Sequence, residues 1–338
     1  MNYKRISAKL SELPIEELSF STNFQIRPDG KIKGYDFVLG FFLMILEGFN
    51  TVEKWAAAIG KISGNLISAQ SVQGKLQFRH QQLAEELLKY VLRHQLMQRK
   101  TGHQTKGLLR SFGRVFLEDS TCVKLAAVLA AFFPGNFNHA GPGATARIQL
   151  CLELLSGEYT HLELQSYRDN DQKFAYHIVK LLRAGDLVIR DLGYAVLGAF
   201  RLIMEQGAFF LSRFRYGTCV YDPKTGQEID LRKKLRGLRN EGGSVLDIQV
   251  LMGKGEQLPM RLVAILAPPQ VAQAKRRKAE KDRNKKTNHS QEYMEMLGWS
   301  IFVTNVGAEV WSPKQMMEVY GYRWHIEITP RLTQIAGF

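Results

Sequence analysis

Two kinds of hydrophobic patterning divide the chain. Over residues 1–105 apolar positions recur at helical spacing. Tyr35–Leu46 reads as an apolar helix, Thr51–Ile62 as an amphipathic helix capped by Thr51, and Ser68–Leu92 as a longer polar helix. Thr101–Gly107 reads as a linker. Beyond it the pattern changes to strand candidates at 113–118, 146–155, 159–166 and 186–190, of which the first and last carry short apolar runs of the buried-strand type. Gly157 marks a hairpin between the middle two, and helical spacing returns near 171–184 and 194–206. Further strands are predicted at Ala208–Phe214, Val245–Met252 and Met260–Ala267, and Ser300–Asn305 is expected to re-enter the core sheet.

Two of these strands share one design. Arg114–Val–Phe–Leu–Glu118–Asp119–Ser–Thr and Asp186–Leu–Val–Ile–Arg–Asp191–Leu–Gly193–Tyr194 each end an apolar run in an aspartate that opens into a turn. Ligands of open α/β sheets collect at the carboxyl ends of strands, so Asp119 and Asp191 can converge although far apart in sequence. Near the end of the chain, Ser312–Pro313–Lys314–Gln315 reads as a helix start, with a capping serine, proline at the first helical position and glutamine three residues after the cap. Tyr320, Arg323 and Glu327 follow at i, i+3 and i+7, which puts a phenol, a guanidinium and a carboxylate on one narrow arc of that helix. Arg323 and Glu327 also fit an ordinary i,i+4 pair, and an aspartate at a strand end is commonly a turn former.

Three converging carboxylates suit a hard divalent cation such as Mg²⁺, which prefers oxygen ligands. Two such ions roughly 3.5–4 Å apart stabilise the attacking and leaving oxygens of a phosphodiester displacement. A neighbouring arginine neutralises phosphate and a tyrosine hydroxyl donates to it.

With these motifs in place, the chain resembles the DDE transposases of bacterial insertion sequences, those whose ribonuclease-H-like core is interrupted by a β-rich insertion. The resemblance spans residues 30–328. Asp119–Ser120–Thr121 matches the family's first signature and Asp191–Leu–Gly193–Tyr194 its second. Tyr320, Arg323 and Glu327 match its third, with Trp324 beside the arginine and Gln334 where the family has lysine. The interval from Asp191 to Glu327 is nearly twice that from Asp119 to Asp191, which leaves room for the insertion.

The resemblance implies an α/β fold. An N-terminal helical, DNA-binding domain (1–105) would precede a ribonuclease-H-like mixed sheet core in two parts (106–206 and 298–328), around a β-rich insertion (207–297). It implies Asp119, Asp191 and Glu327 as catalytic metal ligands for two Mg²⁺ or Mn²⁺ ions, Tyr320, Arg323 and Trp324 as phosphate contacts, and a homodimer on DNA. The tail 329–338 departs from the family. Pro330 removes a helical hydrogen bond and clashes with the preceding turn, at a cost of about 3 kcal/mol in a helix interior. The expectation is a truncated terminus and a chain that binds DNA but transposes poorly, as a non-catalytic regulator would. A ribonuclease-H-like nuclease is the alternative within the same chemistry.

Charge agrees with a polyanionic partner: 46 Lys and Arg against 32 Asp and Glu leave a net +14. Two basic clusters, Arg232–Arg239 and Lys275–Lys286, lie within the insertion. Lys275, Arg276, Arg277 and Lys278 of the second are candidate backbone contacts, although charge runs are commonly solvated faces. Ser68–Lys75 carries amide, hydroxyl and basic groups of the kind that read base edges. The three cysteines are scattered and no His-x₃-His or His-Glu-x-x-His motif occurs, so neither a disulfide framework nor a zinc hydrolase is indicated. Met1–Leu13 is polar and mixed, and the longest apolar runs are too short to cross a bilayer, so a cytoplasmic location beside the chromosome is expected.

Overall fold

The computed structural model describes residues 3–48, 51–76, 78–98, 107–125, 127–138, 141–168, 171–281 and 290–326. Two compact units divide the chain, residues 1–99 and 100–338. The first is helical: α1 (Tyr3–Ser11), α2 (Ile15–Ser21), α3 (Gly34–Leu46), α4 (Val52–Ser63), α5 (Ala69–Lys75) and α6 (Phe78–Gln98). Phe24, Phe37, Trp55, Ile59 and Val72 form a core, and the Trp55 indole donates to the Phe37 carbonyl at 3.0 Å. Gly40 permits the α3–α4 approach, because a Cβ there would lie 2.7 Å from Ile59 Cγ1. Thr51 caps α4 through the Lys54 N–H.

The long helix predicted over Ser68–Leu92 is instead two, α5 and α6, with α5 ending at Leu76. The Lys75 side chain, at the end of α5, turns to the unit's core. Its ammonium donates to the Phe24 carbonyl at 2.7 Å and lies over the Phe24 ring, and burial lowers its pKa. Lys75 therefore serves this unit's own packing. Gln70, Ser71 and Gln73 are exposed.

The second unit is built on a ten-stranded sheet: β1 (Val115–Leu125), β2 (Pro134–Asn138), β3 (Gly141–Glu153), β4 (Glu158–Ser166), β5 (Leu187–Arg190), β6 (Phe209–Arg213), β7 (Val220–Tyr221), β8 (Val245–Met252), β9 (Leu258–Leu266) and β10 (Trp299–Thr304). β1, β3 and β4 form an antiparallel meander, with Gly157 at φ 73° in the β3–β4 turn. β5 pairs parallel to β1, and β6 parallel to β5. That central order, β4-β3-β1-β5-β6, is the ribonuclease-H-like arrangement. Val115–Leu117 and Leu187–Ile189 are buried completely, as strands covered on both faces must be. The helices of this unit are α7 (Asp171–Phe174), α8 (Leu197–Glu205), α9 (Leu231–Asn240), α10 (Pro269–Glu280), α11 (Gln291–Met296) and α12 (Pro313–Gly321). Phe200 of α8 stacks on Phe210 of β6, ring centroids 4.2 Å apart, at the centre of the core.

The structure differs from the sequence reading at several points. Ala208–Phe214, read as part of the insertion, is β6, a core strand parallel to β5. The helix near 171–184 is only the single turn α7 plus a 3₁₀ turn at Ile178–Lys180. The Ala175 carbonyl accepts from Arg190 Nη2 at 2.5 Å, which diverts it from a helical ladder. The basic run at 232–239 is ordered as α9 and pairs with α11 through Arg232–Glu292 and Arg236–Glu295. The inserted strands do not form a separate layer: β10 pairs with β6 on one side and β9 on the other, so β9, β8 and β7 continue the core sheet.

Candidate active site

The β1–β5 register places Glu118 opposite Arg190, so the next residues, Asp119 and Asp191, leave adjacent parallel strands side by side. Asp191 directly follows its strand, as predicted, and occupies the N-cap position of the 3₁₀ turn Leu192–Tyr194 without a side-chain capping bond. Asp119 does not: β1 runs on to Leu125, paired with β3 alone beyond Glu118. Asp119 thus lies where the parallel neighbour stops, which opens one side of the strand.

The third element is α12. Ser312 and Gln315 form a full capping box and Pro313 occupies the first turn, as the sequence predicts. The α-helix stops at Gly321, and residues Tyr322–His325 tighten into a 3₁₀ turn. Tyr320 and Arg323 are nonetheless brought to the aspartates. The Tyr320 hydroxyl donates to Asp191 Oδ1 at 3.3 Å, while Arg323 Nη1 lies 4.0 Å from Asp119 Oδ1 and Nε 3.8 Å from Asp191 Oδ1. The Arg323 guanidinium also sits over the Tyr320 and Trp324 rings. Burial, and next the Asp191 charge, push the Tyr320 phenol up, so it remains a hydrogen-bond donor at neutral pH. Glu327, Pro330 and the tail 329–338 lie outside the described residues. Ser312→Ala is expected to lower stability by about 1 kcal/mol through loss of the cap, read as a lower Tm.

Asp191, Tyr320, Arg323 and Trp324 line one cleft of about 740 Å³, together with Arg213 and Lys278. Trp324 is 60% exposed there. Sequence reasoning missed Arg213. It ends β6, and its guanidinium lies over the Phe302 and Tyr320 rings. Of the four candidate basic contacts on α10, Arg277 and Lys278 are exposed. The other two are turned inward. Lys275 donates to the Trp299 carbonyl and the Ser300 hydroxyl, and burial, with help from Arg213, pushes its pKa down to about 8. Arg276 Nε donates to the Met294 carbonyl at 3.1 Å.

Two supports behind the aspartates carried no sequence signal. Glu118 and Arg190, the residues just before them, form a fully buried ion pair at 2.6 Å. Burial raises the Glu118 pKa, with Arg190 acting in the opposite direction. Asp171 gathers hydrogen bonds from Ser120 (2.7 Å), Arg147 (2.7 Å) and Gln149 (3.2 Å), and Gln149 accepts from the Tyr194 hydroxyl at 2.6 Å. This network ties Ser120 of the first motif to Tyr194 of the second. Gly193 allows it, because a Cβ there would lie 2.9 Å from Asp171 Oδ2.

The donor set suits a hard divalent cation. Asp119 and Asp191 offer only oxygen, and Arg323 stands within 4.0 Å of both carboxylates, where it would balance part of the charge of a bound phosphate.

Fold and site together define a ribonuclease-H-like protein with an acidic centre on its two central parallel strands. Residues 110–332 match the family described as "Transposase DDE domain", and the chain belongs to that family. Members of this family use divalent metal. Curated relatives include the transposase for insertion sequence element IS231F of Bacillus thuringiensis subsp. israelensis, 30% identical over 254 residues (69% of this chain, 52% of that protein). The transposase for IS231B of Bacillus thuringiensis subsp. berliner is 27% identical over 337 residues (93% of this chain, 68% of that protein). The chain thus spans about half the length of the first relative and about two thirds of the second. Among solved structures, the piggyBac transposase synaptic complex with hairpin DNA has a TM-score of 0.41 at 9% identity, over 97% of this chain and 66% of that one. Among the described residues, no helix is long and apolar enough to cross a membrane.

Proposed function

We propose that this chain is an insertion-sequence transposase that cuts and joins DNA strands at the ends of its element, with Asp119, Asp191 and Glu327 as the ligands of Mg²⁺. The observation that carries the reading is the convergence of Arg323 and Tyr320 on two aspartates from adjacent parallel strands. When bound, the divalent ions supply Lewis-acid stabilisation of the attacking and leaving oxygens of a phosphodiester. Arg323 orients a phosphate against the aspartates, and the protonated Tyr320 hydroxyl donates to it or to Asp191. Trp324, exposed on the cleft wall and backed by Arg323, offers a face on which an unstacked base can rest. Arg213, Arg277 and Lys278 contact the strand backbone. The helical unit, through Gln70, Ser71 and Gln73, adds duplex recognition, the active species is a homodimer on DNA, and the protein works in the cytoplasm beside the chromosome.

The test incubates the purified chain with element-end DNA and Mg²⁺ and resolves nicked, hairpin and strand-transfer species. Joined products support a transposase. Hydrolysis alone indicates a nuclease, and shifted but uncut DNA a binding protein. Binding should also weaken linearly in log affinity against log salt, with a slope of about −0.9 per neutralised phosphate on B-DNA. Arg277→Gln with Lys278→Gln should flatten that slope by up to about two phosphates and weaken all sequences alike. Lys275→Gln should leave it unchanged, because the Lys275 ammonium is already engaged.

A further inference from the structure

A second cluster of metal-type donors lies on the outer part of the sheet. His161 and Glu163 alternate with Leu162 on β4 and share one of its faces. Among the described residues, β4 pairs only with β3. His177 comes from the turn between α7 and the 3₁₀ turn Ile178–Lys180. One ligand atom from each of the three lies within 4.8 Å of the others, and His161 Nε2 is 3.0 Å from Glu163 Oε2. The two imidazoles are 4.2 Å apart between centroids, and His177 stacks on the buried Phe174 ring at 4.9 Å with an interplanar angle of 8°. All three residues are partly buried.

We propose that His161, Glu163 and His177 form a transition-metal site whose occupant is Zn²⁺. Two imidazoles and a carboxylate are a borderline donor set that selects Zn²⁺ and its first-row neighbours over Mg²⁺, in contrast to the all-oxygen pair Asp119 and Asp191. Metal–ligand bonds of about 2.0–2.2 Å around a tetrahedral ion put donors roughly 3.3–3.6 Å apart. The widest separation, up to 4.8 Å, therefore needs to close by about an ångström and the 3.0 Å His161–Glu163 pair to open slightly, which rotation of partly exposed side chains supplies. Two further properties favour the neutral ring and charged carboxylate that a metal needs. Burial, then the neighbouring His161, holds the His177 pKa below the usual imidazole range, and hydrogen bonds from Gln165 and His161 hold Glu163 below the usual carboxylate range. Three protein ligands leave a fourth position for water. The ion would fasten β4 to the segment 171–180, the segment that delivers Asp171 to Ser120, Arg147 and Gln149. Its role is to hold that segment in place, without contact to the reacting strands.

The experiment titrates Co²⁺ into the chelator-treated full chain and follows the visible absorption of four- or five-coordinate Co²⁺. One equivalent is expected to develop bands that Zn²⁺ removes and excess Mg²⁺ does not. His161→Ala and His177→Ala should each weaken binding by more than about 100-fold, and Glu163→Gln should weaken it measurably, whereas Asp191→Asn should leave it intact. Bands that persist in both histidine variants, or none in the wild type, would overturn the site in favour of an ordinary His161–Glu163 hydrogen bond. A measurement without variants guards against misfolding. Zn²⁺ should protect His161 and His177 of the wild-type chain from diethylpyrocarbonate, mapped by mass spectrometry. Unchanged modification of both would equally overturn the proposal.

Discussion

Asp119→Asn or Asp191→Asn is expected to remove metal-dependent strand cleavage, by at least roughly 10²–10³-fold, while DNA is still retained in a gel. Asparagine keeps the shape of the side chain, and at position 191 it can still accept from the Tyr320 hydroxyl. What it removes is a negative charge in a site where Arg323 already stands within 4.0 Å of both carboxylates. With one of the two aspartates left, the guanidinium offsets its charge, and the attraction for a divalent cation falls. The readout is single-turnover nicking across a Mg²⁺ titration, with retention measured in parallel. Cleavage at the wild-type rate in either variant would remove that aspartate from the reaction. Loss of both cleavage and retention would point to a damaged fold.

Arg190→Met is expected to cost about 3–5 kcal/mol at neutral pH, because it leaves Glu118 buried without its partner. The penalty should shrink in acid. Burial already raises the Glu118 pKa above that of the unfolded chain, and without Arg190 it rises further. The native state then holds a proton that the unfolded state has lost. For such a group stability falls as pH rises from the ordinary carboxylate range through the raised folded value. Denaturation midpoints of the variant should therefore approach those of the wild type as pH drops towards that range. Adding Glu118→Gln to Arg190→Met should recover part of the loss at neutral pH, since an amide needs no counter-charge. A constant deficit from acid to neutral pH would mean that lost packing, and not the stranded carboxylate, is responsible.

Much of the sheet was legible because its strands are buried on both faces, which writes them as unbroken apolar runs. Val115–Leu117 and Leu187–Ile189 are examples, whereas Val245–Met252 alternates exposed and buried positions. The α12 start was legible because the Ser312 capping box is entirely local. What escaped depends on partners distant in sequence. Nothing near Arg190 announces Glu118, and nothing near Asp171 announces Ser120 or Gln149. The break after α7 comes from Arg190 reaching the Ala175 carbonyl, and the inward turn of Lys275 from a strand more than twenty residues away. Charge counting reads such cations as surface. Arg213 went unnoticed because it closes an apolar strand read as part of an insertion, when β6 is a core strand whose end faces the cleft.

The position of β10 has a consequence for how the protein is made. β10 lies between β6 and β9, so it alone joins the strands of the first core segment to β9, β8 and β7. A ribosome reaches β10 only after all nine other strands have been made. Until then β6 and β9 each present an unpaired row of N–H and C=O groups, along apolar sequence, to whatever is nearby. Synthesis halted in that interval would yield two part-sheets with adhesive borders and no α12 to deliver Arg323 to the aspartates. Such products should aggregate before Arg323 reaches Asp119 and Asp191.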